Sequence, residues 1–164
     1  MSDFFDSMRR DWRNPMLRVL LLVSTLLAGC ASTPQATPER DAEAKRFLTV
    51  SGEATIYLYC PDFPTFDQSD PSVYVDDRLI GTVLPGSFFR FAAPPGTRVI
   101  QSHAQDTNSL AIEARSGELH FVALNVIAGQ SRYATVSAET GKRDIVRCCA
   151  LMENWAPGQR PLLR

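Results

Sequence analysis

Four cysteines, Cys30, Cys60, Cys148 and Cys149, and two histidines, His103 and His120, are the side chains of this 164-residue chain with the widest chemical range. Thiolates attack disulfides, bind soft metals and pair with one another, and imidazole moves protons near neutral pH. Spacing decides among these uses. A zinc site draws on pairs such as C-x-x-C with spaced histidines, and the adjacent Cys148 and Cys149 with distant His103 or His120 do not make that pattern. His120, between Leu119 and Phe121 and with no assigned partner, reads as a structural or surface histidine. Neither G-x-S-x-G nor H-E-x-x-H occurs, and Ser87 in P-G-S-F-F lacks the context of a nucleophile elbow. Asp62, Asp67, Asp70, Asp76 and Asp77 depart from the D-x-D-x-D-G calcium loop and read as turn residues. The sequence therefore predicts no catalytic residue, metal or cofactor, and a protein that is not an enzyme.

Cys30 stands in a different setting. Arg9, Arg10, Arg13 and Arg18 precede a stretch, 19–27, that is apolar apart from Ser24 and Thr25, and small residues then lead to the cysteine. This is the order of an export signal. Its apolar core is shorter than the roughly 20 residues of a membrane-spanning helix. Leu27-Ala28-Gly29-Cys30 resembles the lipobox of bacterial lipoproteins, and the resemblance implies a diacylglyceryl thioether on Cys30, cleavage between Gly29 and Cys30, and acylation of the new terminus. Two or more acyl chains make a stable anchor, since each buried methylene contributes about 0.8 kcal/mol. Membrane lipid is thus the first expected partner. Ala31, rather than aspartate, at the second mature position implies by analogy an outer-membrane lipoprotein facing the periplasm. Asp3, Asp6 and Asp11 are foreign to a basic leader, which makes Met8 or Met16 alternative starts.

Beyond the leader, 1–29, the chain has the size of one domain. Setting aside the four arginines and three aspartates of that leader leaves 13 basic against 15 acidic residues of the chain's 17 and 18, without a run of either sign. Nucleic-acid binding would call for a basic stripe, so that partner is excluded. Residues 30–38 read as the lipidated cysteine and a proline-bearing tether that holds the domain within about 25 Å of the membrane. Thr37 as cap, Pro38 at the first position, Glu39 and Asp41 early and Lys45 and Arg46 late predict a short helix over 38–46.

The remainder, 39–152, predicts an all-β domain, a single antiparallel sandwich of about seven to eight strands. In Ala54–Cys60 the residues Ile56, Leu58 and Cys60 alternate with Tyr57 and Tyr59, which places the two sets on opposite faces. Stretches 73–75 and 79–84 form a hairpin about Asp76, Asp77 and Arg78. Further strands are expected at 88–91, 97–103, 110–115, 119–127, 133–137 and 145–152, with turns at Pro94-Pro95-Gly96, Ser116-Gly117, Ala128-Gly129-Gln130 and Gly141. The run 119–127 is apolar on both sides of its alternation, as in a strand covered on both faces. Residues 153–164, with Trp155, read as an irregular tail.

Two groups of residues carry the remaining functional interest. Phe63 and Phe66 lie in the proline-bearing connection P-D-F-P-T-F-D-Q-S-D-P and either plug one end of the sandwich or anchor an envelope protein partner, a surface that Tyr57 and Tyr59 would extend if no second sheet covers them. In an oxidising envelope Cys60, Cys148 and Cys149 either remain small core thiols or offer three pairings: Cys60 with Cys148, Cys60 with Cys149, or the vicinal pair. Adjacent strand residues face opposite ways, so at most one of Cys148 and Cys149 shares a face with Cys60.

The order A-T-I-Y-L-Y-C-P from Ala54, V-Y-V-D-D-R-L-I-G from Val73, P-P-G-T-R-V-I from Pro94 and A-G-Q-S-R-Y-A-T-V from Ala128 resembles a family of small bacterial lipoproteins of unknown function, and more distantly the PEGA surface domains. The resemblance covers about 52–152 and implies a compact β-sandwich on a lipid anchor, with no assigned chemistry. Cys60 stands where that pattern has arginine and Asp77 where it has glycine, so nothing attached to that arginine carries over. The expected function is a non-enzymatic interaction or structural module of the envelope. A carrier of an apolar ligand, an enzyme and a thiol redox sensor are the alternatives.

Overall fold

Alternation along Ala54–Cys60 sets the layers. The computed structural model describes residues 34–61, 72–103, 108–127 and 130–153. The leader with Gly29 and Cys30, the aromatic pair Phe63 and Phe66, and Trp155 lie outside them. In chain order the described elements are α1 (Pro38–Ala44), β1 (Ala54–Cys60), β2 (Ser72–Val75), β3 (Arg78–Thr82), β4 (Ser87–Ala93), β5 (Gly96–His103), β6 (Ser109–Ala114), β7 (Leu119–Ile127), β8 (Gln130–Val136), α2 (Ala138–Cys148) and β9 (Ala150–Leu151). Five strands form one sheet in the order β8-β7-β1-β4-β9 and four the other, β3-β2-β5-β6. Among the described residues no helix is long and apolar enough to cross a membrane.

The two sheets enclose Ile56, Leu58 and Cys60 of β1 together with Val73, Ile80, Phe89, Phe91, Ile100, Ile112, Val122 and Leu124. The opposite face of the five-stranded sheet carries Tyr57, Tyr59, Phe88 and Phe121, and it is covered by the helices through Ala44 and Ile145. Every residue of β1 is consequently buried. Phe121 to Leu124 of β7 are buried for the same reason: their strand is sandwiched between the other sheet and a helical layer.

Three expectations are corrected. The sandwich is not antiparallel throughout, because β1 pairs in parallel with β7 and β4 in parallel with β9. Alternation reports which face a residue occupies, not which strand lies beside it. The strand expected over 145–152 is the end of helix α2 followed by the two-residue β9. Ser137 caps this helix by accepting a hydrogen bond from the Thr140 N–H at 3.2 Å, and Gly141 and Ile145, one turn apart, are its buried face. Gly141 marks no turn. A Cβ there would lie 2.4 Å from the Phe121 ring, so the glycine lets the helix backbone rest directly on that ring.

Asp76 and Asp77 close the β2–β3 hairpin with φ of 48° and 62°, the positive values that a two-residue turn of this hand requires at both positions. Asp76 is further held by β5: its carboxylate accepts from the Val99 N–H and from Arg98 Nη1, each at 2.9 Å.

At the other end of the chain order, α1 begins on Thr37, whose hydroxyl accepts from the Arg40 N–H at 3.4 Å. The residues ahead of it are not free. Gln35 bridges Met152, the Ala36 N–H donates to the Leu151 carbonyl at 2.9 Å, and the Glu153 N–H donates to the Pro34 carbonyl at 2.8 Å. Of the stretch read as a flexible tether, the part from Pro34 onward is therefore zipped along β9, with Ala36 buried.

Candidate functional site

The end of α2 gathers the side chains with most chemistry among the described residues. Cys148 is the last helical residue and Cys149 its C-cap, with the Cys149 N–H still donating to the Ile145 carbonyl. Their sulfurs lie 2.8 Å apart, either able to donate to the other. Cys148 is half-buried and also donates to the Asp144 carbonyl at 3.1 Å. Cys149 is buried among Tyr59, Phe88 and Leu151 in the cluster beneath the helices. Burial pushes the Cys149 thiol up, reinforced by its hydrogen bond with Cys148.

Tyr59 reaches the same place from β1 and donates to Asp144 Oδ2 at 3.2 Å. Burial, and then the adjacent Asp144 carboxylate, push its phenol up, so it remains a neutral donor. Tyr57, one pleat away, donates to the Ala44 carbonyl at 2.8 Å and accepts from Arg90 Nε at 3.1 Å. Its ring stacks on Phe121 with centroids 5.1 Å apart. Tyr57 and Tyr59, expected to extend a partner surface, are thus core residues with 0% and 1% exposure. The expectation weighed only a second sheet as cover, and it is two helices that cover their face.

Cys148 and Cys149 are both thiols in this structure. Cys60 lies between the sheets, whereas Cys149 lies on the outer, helix-covered face. A bond between them would have to pass through the sheet. Cys149 Sγ donates to the Cys60 carbonyl at 3.7 Å. Of the three pairings open to the sequence, the vicinal one is the pairing whose sulfurs the fold brings together.

The other candidates are absorbed by local structure. His120 Nε2 accepts from the Arg115 N–H at 3.0 Å and so fastens the turn between β6 and β7. His103 belongs to β5 and His120 to β7, in different sheets. The buried Ser87 hydroxyl donates to the Leu84 carbonyl and accepts from its N–H, closing the turn into β4. Among the described residues no three His, Cys, Asp or Glu side chains converge as a metal ion would need.

Residues 50–147 match the family described as a protein of unknown function, DUF2846. The chain belongs to this family. The match runs from the segment ahead of β1 to the residue before Cys148, so it covers both sheets except β9. An uncharacterised protein of Haemophilus influenzae is 31% identical over 129 residues, which cover 75% of this chain and 76% of that one. The signal that sequence reading missed was α2 itself: Ser137, Gly141 and Ile145 carry a cap and a four-residue apolar spacing, and that helix is what joins Cys148 and Cys149 to Tyr59.

Proposed function

We propose that this protein is a bacterial envelope lipoprotein, held in the membrane by acyl chains on Cys30, whose β domain is a non-enzymatic interaction or structural module. The observation that carries the reading is Leu27-Ala28-Gly29-Cys30 at the end of a short apolar stretch behind four arginines. An export signal with a lipidatable cysteine has that order, and the outer membrane facing the periplasm is its proposed destination. The module reading is supported by the side chains that a hydrolase or metal enzyme would use. His120 and Ser87 spend hydrogen bonds on turns, and Asp76 spends its own on strand β5.

The test is metabolic labelling of the full chain in a Gram-negative host with an alkyne-bearing fatty acid. The wild type is expected to take up label and to sediment with membranes. Cys30→Ala is expected to lose all label, and inhibition of the lipoprotein signal peptidase to accumulate a longer precursor. An unlabelled, unprocessed wild-type chain in the cytosol overturns the proposal.

A further inference from the structure

We propose that Cys148 and Cys149 form a thiol–disulfide exchange site, which takes oxidising equivalents from a protein or low-molecular-weight disulfide and holds them as a reversible vicinal disulfide. The proposal rests on three features of the fold. The two sulfurs are already 2.8 Å apart, much nearer to the about 2.05 Å of a disulfide than non-bonded sulfurs come. One of the pair is reachable and the other enclosed: Cys148 is half-buried at the end of α2, while Cys149 is packed beneath it. The third thiol, Cys60, belongs to the cluster between the sheets, on the other face of β1 from this pair.

Exchange then runs in two balanced steps. The Cys148 thiol loses its proton and attacks one sulfur of the incoming disulfide, which forms a mixed disulfide and expels the first thiolate. The Cys149 thiol, losing its proton in turn, attacks Cys148 Sγ and expels the second. Two protons and two electrons leave the pair, and the oxidant departs as two thiols. Cys148 is the entering sulfur because it is the accessible one and because burial keeps Cys149 protonated.

Adjacency makes this bond temporary. Neighbouring Cα atoms lie about 3.8 Å apart across a trans peptide, less than the about 4.4–6.8 Å that disulfides usually span, and such deviation stores strain and makes the bond easier to reduce. Bonds of this kind serve exchange or regulation rather than permanent stapling. The backbone that must adjust is the α2 C-cap, where the Ala150 N–H donates to the Gly86 carbonyl at 2.8 Å and begins β9. Oxidation would therefore be felt at the edge strand along which residues 34–36 are zipped.

The experiment treats the purified full chain with excess oxidised glutathione, unfolds it in an alkylating reagent and maps the peptides by mass. The peptide carrying Cys148 and Cys149 is expected to lose two hydrogens and take no label, while Cys60 is alkylated. Mild reduction with dithiothreitol is expected to restore both labels. Cys60→Ser should behave as the wild type, and Cys149→Ser should stop at a glutathione adduct on Cys148. Full alkylation of both vicinal cysteines after oxidation, or a bond that links Cys60 to either, overturns the proposal. The assay reads the pair itself and has the same outcome whether or not Cys30 is acylated, so its failure leaves the anchor reading standing.

Discussion

Gly141 is the residue on which the covering of the sheet depends. Replacing glycine by alanine inside a helix usually gains about 1 kcal/mol, but here the new methyl would lie 2.4–2.7 Å from three atoms of Phe121. Phe121 cannot yield freely, because its ring is stacked on Tyr57 and tilted against Phe47, with centroids 5.1 and 5.9 Å away. Overpacking of this sort costs about 1–3 kcal/mol beyond any gain in propensity. Gly141→Ala is therefore expected to lower the denaturation midpoint at an unchanged slope, and a variant as stable as the wild type would show that α2 is not seated on that ring. The sequence presented this glycine as punctuation. A glycine in a helix and a glycine in a turn look alike until the opposing side chain is known, and Phe121 is twenty residues away. The faces of Tyr57 and Tyr59 were legible from alternation, whereas their burial was not, because it depends on a helix that returns from the far end of the chain.

At the scale of elements, α1 shows how a segment too short to hold itself is kept in place. Seven residues are below the length at which an isolated helix survives in water. Asp41 supplies the missing hold: Oδ1 accepts from the Leu151 N–H at 2.8 Å and Oδ2 from Lys45 Nζ at 2.7 Å. Arg40 adds a two-pronged contact to Glu153. Leu151 is buried, so removing its acceptor leaves an amide unsatisfied at a cost of about 1–3 kcal/mol. Asp41→Ala should destabilise the domain by about that much and raise hydrogen exchange at Leu151, while Asp41→Asn, which keeps an acceptor, should recover most of the protection. Unchanged exchange at Leu151 in the alanine variant would mean that α1 is held by something else. The start of α1 could be read from Thr37 and Pro38, and β1 from its seven alternating residues. The run from Ile145 could not be assigned so directly, since a short apolar stretch fits strand and helix alike, and β9 is two residues held extended by distant partners, the edge of β4 on one side and residues 34–36 on the other.

At the scale of the whole molecule the question is how each edge of the five-stranded sheet is closed. On the β8 side, Asn108 Nδ2 donates to the Ser131 carbonyl at 2.8 Å and ties that edge to the segment entering β6. On the β9 side the closure is made by residues 34–36 of the chain itself. Were Cys30 acylated as proposed, this second closure would have a consequence at the membrane. An eight-residue tether would let the domain float about 25 Å from the bilayer, but only four Cα steps separate Cys30 from Pro34, and each spans at most about 3.6 Å, or about 14 Å in all. The domain is then expected to lie against the headgroups by its β9 edge. Neutron reflectometry on the lipidated protein at a supported bilayer should find protein density beginning within about 14 Å of the headgroup layer. A water layer of about 25 Å beneath the domain would mean that residues 34–36 unzip from β9 at the membrane, and that the edge is left for another strand to cover.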